Sequence, residues 1–279
     1  MTDVLLRATE LCKRFTTRGS LGRRSEHVAV DRVSFTIAPG ETLAVVGESG
    51  SGKSTTARMV ARLLTPDSGR LEFDGTDVTA ATGAALAAYR KQVQVVFQDP
   101  YSSLNPRHTV ERIITAPLRY QRVASRRDRR AVAQDLMERV GLDPDQVQRY
   151  PRQFSGGQAQ RIGIARALAI DPKLVICDEA VSALDVSVQA QILDLLRGLQ
   201  RDSGFSYLFI AHDLAVVRQI AHRVAVMNAG RIVESGPCSR VFDDPRHPYT
   251  RELLAAIPRI DPEWDRRRRA RTVEAEEAR

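Results

Sequence analysis

Residues 47–54 place glycines, a lysine and a serine in the spacing G-x-x-x-x-G-K-S. Glycines let successive backbone N–H groups turn toward one anion, and the N-terminus of a following helix adds positive dipole charge. In such a loop the lysine bridges the β- and γ-phosphates of a nucleoside triphosphate and the serine ligates Mg²⁺. The residues predicted to bind the phosphates are Gly47, Glu48, Ser49, Gly50, Ser51, Gly52, Lys53, Ser54 and Thr55.

Two carboxylates, Asp178 and Glu179, follow the apolar run 174–177. Ligands of open parallel sheets bind at the carboxyl ends of the strands, so Asp178 is predicted to hold the metal. Glu179 is then placed to polarise a water in line with the γ-phosphate. An apolar run before Asp-Glu is by itself more often a strand that leads into an acidic loop. The phosphate-binding loop upstream favours the catalytic interpretation.

A third motif, Ser-Gly-Gly-Gln at 155–158, precedes a run of good helix formers at 159–169. Ser155 is predicted to cap that helix. The glycines at 156 and 157 would let an anion approach the free N–H groups of its first turn. The alternative is a plain capped helix with no ligand.

The periodicity around these motifs predicts an α/β fold whose parallel-sheet core is covered on both faces. The first forty residues instead predict a small antiparallel sheet. Residues 102–168 show helical patterns and no convincing strand, which predicts a helical insert. The strands expected in the core are 42–46, 93–97, 174–177, 207–210 and 224–227, and helices are expected at 54–64, 187–200, 214–222 and 249–256.

With the motif at 155–158, the sequence resembles the ATP-binding cassette (ABC) family, and the resemblance covers nearly all of residues 4–257. The Ser-Gly-Gly-Gln motif is highly specific to that family, although Phe154 stands where leucine is commoner. The resemblance implies a P-loop NTPase fold with an ATP-binding domain at 4–257 and a helical subdomain at about 102–168. Residues 258–279 would be a charged C-terminal tail.

The resemblance also implies the roles of several residues toward ATP and Mg²⁺. Gln98 matches a glutamine that senses Mg²⁺ and faces a membrane partner, and His212 matches a switch histidine that touches the γ-phosphate. A lone histidine at a strand end is otherwise more often structural. The implied catalytic residues are Glu179, His212, Lys53 and Gln98, and the implied metal ligands are Ser54, Gln98 and Asp178. The residues implied to serve a partner's nucleotide are Ser155, Gly156, Gly157 and Gln158. Asp185 ends the stretch 182–185, which matches the D-loop of the family, and is a further implied nucleotide-binding residue.

Phe15 is the candidate aromatic residue for stacking on adenine. Its spacing to the phosphate-binding loop is lengthened by an expected basic loop at 18–27. A core aromatic residue is the alternative interpretation.

Two stretches, 97–107 and 247–254, look like the oligopeptide/dipeptide importer ATPases of that family, a group that also includes nickel and oligosaccharide importers. The implied partners are a second ABC ATPase subunit, identical or different, two transmembrane permeases and, indirectly, an extracellular solute-binding protein. A non-transport cassette acting on nucleic acid or ribosomes is an alternative, but the long coiled-coil insertion or second cassette that is usual there is missing. An exporter or lipid-handling cassette is a third possibility. Many members of this group continue into a C-terminal extension that contains cysteines. No cysteine follows Cys238 in this sequence, so no iron–sulfur cluster is expected.

The formal net charge of +8 raises the question of a nucleic-acid partner. Two segments, 7–32 and 119–139, each hold seven basic and three acidic residues. Solvated surface is the first interpretation of such runs, and proximity to anionic lipid headgroups is the alternative. No nucleic-acid partner is predicted. No apolar stretch is long enough to span a bilayer, and no apolar core of a signal peptide is present. We expect a peripheral protein on the cytoplasmic face of the inner membrane, with reduced cysteines.

Overall fold

The computed structural model describes residues 4–18, 24–121 and 126–256. The strands are β1 (Leu6–Arg18), β2 (Arg24–Ile37), β3 (Thr42–Val46), β4 (Ser68–Phe73), β5 (Thr76–Asp77), β6 (Val93–Val96), β7 (Leu174–Asp178), β8 (Ser206–Ile210), β9 (Arg223–Asn228) and β10 (Arg231–Pro237). The helices are α1 (Lys53–Val60), α2 (Gly83–Gln92), α3 (Pro100–Ser103), α4 (Val110–Ile114), α5 (Ala116–Gln121), α6 (Arg126–Arg139), α7 (Gly156–Leu168), α8 (Val186–Ser203), α9 (Leu214–Ile220), α10 (Cys238–Asp243) and α11 (Pro248–Ala255). Two short 3-10 helices, Pro144–Gln148 and Pro151–Gln153, precede α7.

The central sheet has six strands in the order β10-β9-β3-β8-β7-β6. All pairs from β9 to β6 are parallel, and β10 pairs with β9 in the antiparallel direction at one edge. Strands β3, β7 and β8 are buried along their whole length. Burial on both faces explains why these strands are continuous apolar runs and do not alternate. The predicted α/β class with a parallel-sheet core is confirmed.

A second, antiparallel sheet has the order β2-β1-β4-β5, in agreement with the predicted N-terminal subdomain. The expected basic loop at 18–27 is wrong in part, because β1 and β2 continue as a hairpin as far as the Arg18–Arg24 pair. Residues 24–27 are therefore strand, with His27 opposite Phe15. The rest of that expected loop, 19–23, lies outside the described residues.

Helices fill the chain between β6 and β7, with no strand among the described residues there. Helices α4, α6 and α7 share one hydrophobic core with one face of the central sheet. Each contributes a fully buried residue, namely Val110, Met137 and Ile162. The predicted helical insert is thus present and packs as one unit with the sheet.

Several elements differ from the sequence-based expectation, and the short β5 and α10 were not predicted. Helix α2 was not predicted, since Tyr89 is its only buried residue and its pattern is weakly amphipathic. Strand β10 was also missed, because only one of its seven residues is buried. The helix expected at 54–64 ends at Val60. The expected tail at 258–279 lies outside the described residues.

Among the helices that the structure describes, none combines the length and the apolar character needed to cross a bilayer.

Candidate nucleotide-binding site

Three of the predicted motifs meet at the carboxyl edge of the central sheet. Residue 47 follows β3, Asp178 ends β7, and His212 lies two residues beyond the end of β8. These three strands are direct neighbours in the order β3-β8-β7, although they are far apart in sequence. Because parallel strands present their carboxyl ends at one edge, their loops form a single site there. We name residues 47–54 with Asp178, Glu179 and His212 the P-loop cluster.

Two glycines of this cluster have backbone conformations that no other residue could adopt without strain. Gly47 has φ +148°, and a Cβ there would lie 2.1 Å from the carbonyl oxygen of Met227. Gly52 has φ +103°, and its Cβ would lie 2.3 Å from the carbonyl oxygen of Ala29. The spacing of these glycines is therefore required by close approach of the loop to β9 and β2.

Lys53 is buried, and its ammonium group points back into the loop. Its Nζ donates to the carbonyl oxygens of Gly47 at 2.8 Å and Glu48 at 2.7 Å. Burial lowers the pKa of Lys53, and the nearby carboxylates of Glu179 and Asp178 oppose that shift. A buried ammonium group of this kind gains from an added anion, since it has lost most of its water.

Ser54 and Asp178 place two oxygen ligands side by side. The Ser54 hydroxyl donates to Asp178 Oδ1 at 2.8 Å. Burial raises the pKa of Asp178, and this hydrogen bond partly offsets the rise. Carboxylate and hydroxyl oxygens suit Mg²⁺, and a cation beside Asp178 would favour its ionised form. The Ser51 hydroxyl, also buried, has no hydrogen-bond partner in the described structure. The donor set therefore fits a magnesium–phosphate group.

Glu179 and His212 form a pair at the side of the cluster. Glu179 Oε2 lies 3.5 Å from His212 Nδ1, and the Glu179 side chain is 20% exposed. The backbone of Glu179 is left-handed, with φ +52°. Its N–H donates to Ile210 O at 3.1 Å, and its carbonyl accepts from Ser182 N at 3.1 Å. Non-glycine residues are strained in this conformation, and such strain is concentrated at functional sites.

Gln98 lies at the same edge of the sheet but apart from the P-loop cluster. It follows β6, the neighbour of β7, and its side chain is exposed. In the described structure, no hydrogen bond joins Gln98 to Ser54 or Asp178. Its role as a metal ligand stays a prediction.

The signature segment, which we define as residues 155–158, lies at the start of α7. Ser155 Oγ accepts from Gln158 N at 3.3 Å, and Gln158 Oε1 accepts from Ser155 N at 2.9 Å, so the predicted cap is confirmed. A Cβ at Gly157 would lie 2.5 Å from Val188 Cγ1 on α8. Asp185 caps α8 by accepting from Val188 N at 3.0 Å. Within the described ranges, no hydrogen bond joins the signature segment to residues 47–54.

Phe15 is 39% exposed on β1, so the alternative of a core aromatic residue is wrong. Lys13 Nζ lies 5.9 Å from the centroid of its ring. Stacking of this exposed ring on adenine remains a prediction.

One contact with the P-loop cluster was missed by sequence reasoning. The hydroxyl of Tyr249 on α11 accepts a hydrogen bond from Glu48 N at 3.1 Å. Tyr249 lies in the stretch 247–254 that indicated the importer group, but its spacing gives no sign of a contact 201 residues away.

Comparison with known proteins gives two family matches. Residues 30–182 match the ABC transporter family, and residues 233–279 match the family described as "Oligopeptide/dipeptide transporter, C-terminal region". A probable peptide ABC transporter ATP-binding protein of Sinorhizobium fredii is 54% identical over 94% of this chain and 75% of its own length. A glutathione import ATP-binding protein of Escherichia coli is 53% identical over 96% of this chain, which spans only 43% of that protein.

Solved structures agree with these matches. The dimeric ATP-binding cassette MJ0796 bound to ADP and Pi superposes with a TM-score of 0.73 at 26% identity, covering 84% of this chain and 98% of that one. The cbiO1 protein of Clostridium perfringens, part of the cbiONQ transporter complex, has a TM-score of 0.74 at 27% identity, covering 92% and 97%. The chain therefore belongs to the ABC transporter family, as an ATP-binding ATPase subunit of its oligopeptide/dipeptide group.

Proposed function

We propose that this chain hydrolyses ATP at the P-loop cluster and thereby powers the import of peptides. The observation that carries the proposal is the convergence at one sheet edge of a buried lysine, a serine–aspartate pair and a strained glutamate. These are the groups that phosphoryl transfer to water requires, because its catalysis consists of positioning and charge stabilisation.

Each group of the cluster has a proposed role. Lys53 and the loop amides bind the phosphates, and Ser54 with Asp178 holds Mg²⁺. The metal, when bound, neutralises charge that develops on the phosphate oxygens. Glu179 orients and polarises the attacking water. His212, 3.5 Å from Glu179, contacts the γ-phosphate, and Gln98 responds to the metal from the end of β6.

We propose further that the site is completed by a second cassette. The signature segment is exposed at Ser155 and Gln158. In the described part of the chain, it makes no hydrogen bond to residues 47–54, the phosphate-binding loop of the same chain. One of the solved structures that this chain resembles is a dimer with ADP and Pi. In a head-to-tail dimer, Ser155, Gly156, Gly157, Gln158 and Asp185 would serve the nucleotide of the partner. ATP would then bridge the two subunits, and its hydrolysis would release them.

The transported solute is proposed from the relatives. Their names refer to peptide transport and glutathione import, and residues 233–279 match the oligopeptide/dipeptide group. We propose two transmembrane permeases as direct partners, an extracellular solute-binding protein as an indirect one, and a peripheral position on the cytoplasmic face of the inner membrane. Nickel or oligosaccharide uptake is the second candidate, because the same group contains such importers.

Purification of the tagged full-length chain from membranes of its source organism tests the proposal. We expect two multi-spanning membrane proteins to copurify, and the reconstituted complex to show ATPase activity that rises with peptide-loaded binding protein. Stimulation by nickel or an oligosaccharide, with no response to peptides, would show that the transported solute is not a peptide. Copurification with ribosomes or nucleic acid and without membrane proteins would overturn the transport function.

A further inference from the structure

A single peptide plane in the P-loop cluster is held from both sides. This plane joins Gly47 and Glu48. Its carbonyl oxygen, that of Gly47, accepts from Lys53 Nζ at 2.8 Å. Its N–H, that of Glu48, donates to the hydroxyl of Tyr249 at 3.1 Å. Because a trans peptide is planar, fixing the N–H fixes the direction of the carbonyl. The hydroxyl of Tyr249 thus orients the group that holds Lys53.

Among the described residues, no further hydrogen bond holds this peptide plane. Gly47 has no Cβ, so its backbone torsions are less restricted than those of other residues. Glu48 is exposed, and its backbone N–H has no other hydrogen bond in the described structure. Rotation would take the Gly47 carbonyl away from Lys53. The Glu48 carbonyl, which accepts from the same ammonium group at 2.7 Å, lies in the next peptide plane and also accepts from Ser51 N at 3.2 Å.

Tyr249 is itself held in place at the start of α11. His247 Nδ1 caps this helix by accepting from Tyr249 N at 3.2 Å. Glu234 on β10 accepts from the backbone N–H groups of Arg246 at 2.9 Å and His247 at 3.0 Å. The tyrosine ring packs against the main hydrophobic core. A connected set of hydrogen bonds therefore runs from the sheet edge through α11 to the phosphate-binding loop.

We propose that Tyr249 is a positioning residue for nucleotide binding. Its hydroxyl keeps the Gly47–Glu48 peptide in the orientation that presents Lys53 to the phosphates, and so links the C-terminal segment from β10 to α11 with ATP affinity. The inference rests on the proposed binding of ATP at the P-loop cluster. Tyr249 acts through the loop and makes no contact of its own with the reacting atoms in this proposal.

The test is Tyr249→Phe in the full chain, which removes one oxygen and keeps the ring that packs on the core. ATP with Mg²⁺ is titrated calorimetrically into the wild type, this variant and Tyr120→Phe. Tyr120 is a matched control because it is 88% exposed on α5. We expect Tyr249→Phe to raise the Kd for ATP about fivefold, as loss of one hydrogen bond predicts. Tyr120→Phe should leave the Kd unchanged.

Melting temperatures and steady-state kinetics separate positioning from simple stability. Titrations are made well below the melting temperature of every variant, so that all chains are folded. In the assembled complex, we expect Tyr249→Phe to raise KM for ATP with kcat changed less than twofold. An unchanged Kd, with or without a lower melting temperature, would overturn the inference. A lower kcat at unchanged KM would also overturn it. Failure of the wild type to bind ATP would instead contradict the proposed function.

Discussion

The P-loop cluster and the signature segment are built in opposite ways. The cluster depends on long-range contacts, such as the bond between Ser54 and Asp178, which are 124 residues apart. The signature segment is completed by bonds between residues three apart, Ser155 and Gln158. The cluster thus holds its buried charges within the chain, whereas the segment is an exposed helix start. The difference supports the proposal that the segment completes a site on another molecule.

The largest effect that would sharpen this comparison is expected from Glu179→Gln. The amide keeps the size of the side chain but cannot polarise water as a carboxylate does. We expect turnover in the assembled complex to fall about 10²- to 10⁴-fold, the usual contribution of a general base. Phosphate release measures turnover, and ATP titration of the same preparation should give a Kd within about twofold of the wild type. Normal turnover would show that Glu179 is not the general base.

A second pair of variants separates binding by the two regions in the lone chain. Lys53→Ala removes the charged donor of the cluster and should weaken ATP binding about 10- to 100-fold. Ser155→Ala should leave ATP affinity of the lone chain unchanged, yet lower turnover once a partner cassette is present. Calorimetry on the isolated chain measures the ATP affinity of both variants, and phosphate release in the assembled complex measures turnover. Equal losses of affinity in the two variants would show that the signature segment serves its own nucleotide, against the comparison above.

Two glycines on α7 provide an internal control for packing of the signature segment. Gly157→Ala forces a Cβ to within 2.5 Å of Val188, a stiff β-branched side chain, and should destabilise the fold by about 1–3 kcal/mol. Gly163→Ala meets no atom within 4 Å and should stabilise it by about 0.5–1 kcal/mol through helix propensity. Urea unfolding measures both free energies. Adding Val188→Ala should recover most of the loss at Gly157, and lack of recovery would place the strain elsewhere.

The smallest effect is expected at Phe15 on β1. Phe15→Ala should weaken ATP binding about threefold if the ring stacks on adenine. Its melting temperature should stay near that of the wild type, because the ring is 39% exposed. Val28→Ala on the neighbouring strand β2, where the side chain is 42% exposed, is the control for loss of an apolar surface group. Unchanged ATP affinity in Phe15→Ala would show that Phe15 does not stack on adenine.

The local sequence pattern predicted an element correctly where residues within that element determine its structure. The strand expected at 42–46 is β3, and the cap expected at Ser155 is present. Pattern failed where burial is slight, as in α2, which buries only Tyr89, and in the edge strand β10. It also missed the hairpin partner of Phe15, because pairing between His27 and Phe15 depends on the partner strand and not on either segment alone.

The sequence by itself determined the chemistry of this protein, since the glycine spacing, Lys53, the Asp-Glu pair after an apolar strand and the Ser-Gly-Gly-Gln motif are all local. Tertiary structure decided which of these groups meet. The order β3-β8-β7 is not the order of the chain, so periodicity cannot predict that Ser54 bonds to Asp178 or that Glu179 faces His212. Nor can it predict the bond from Tyr249 to the loop, because contacts between distant residues arise only when the sheet has formed.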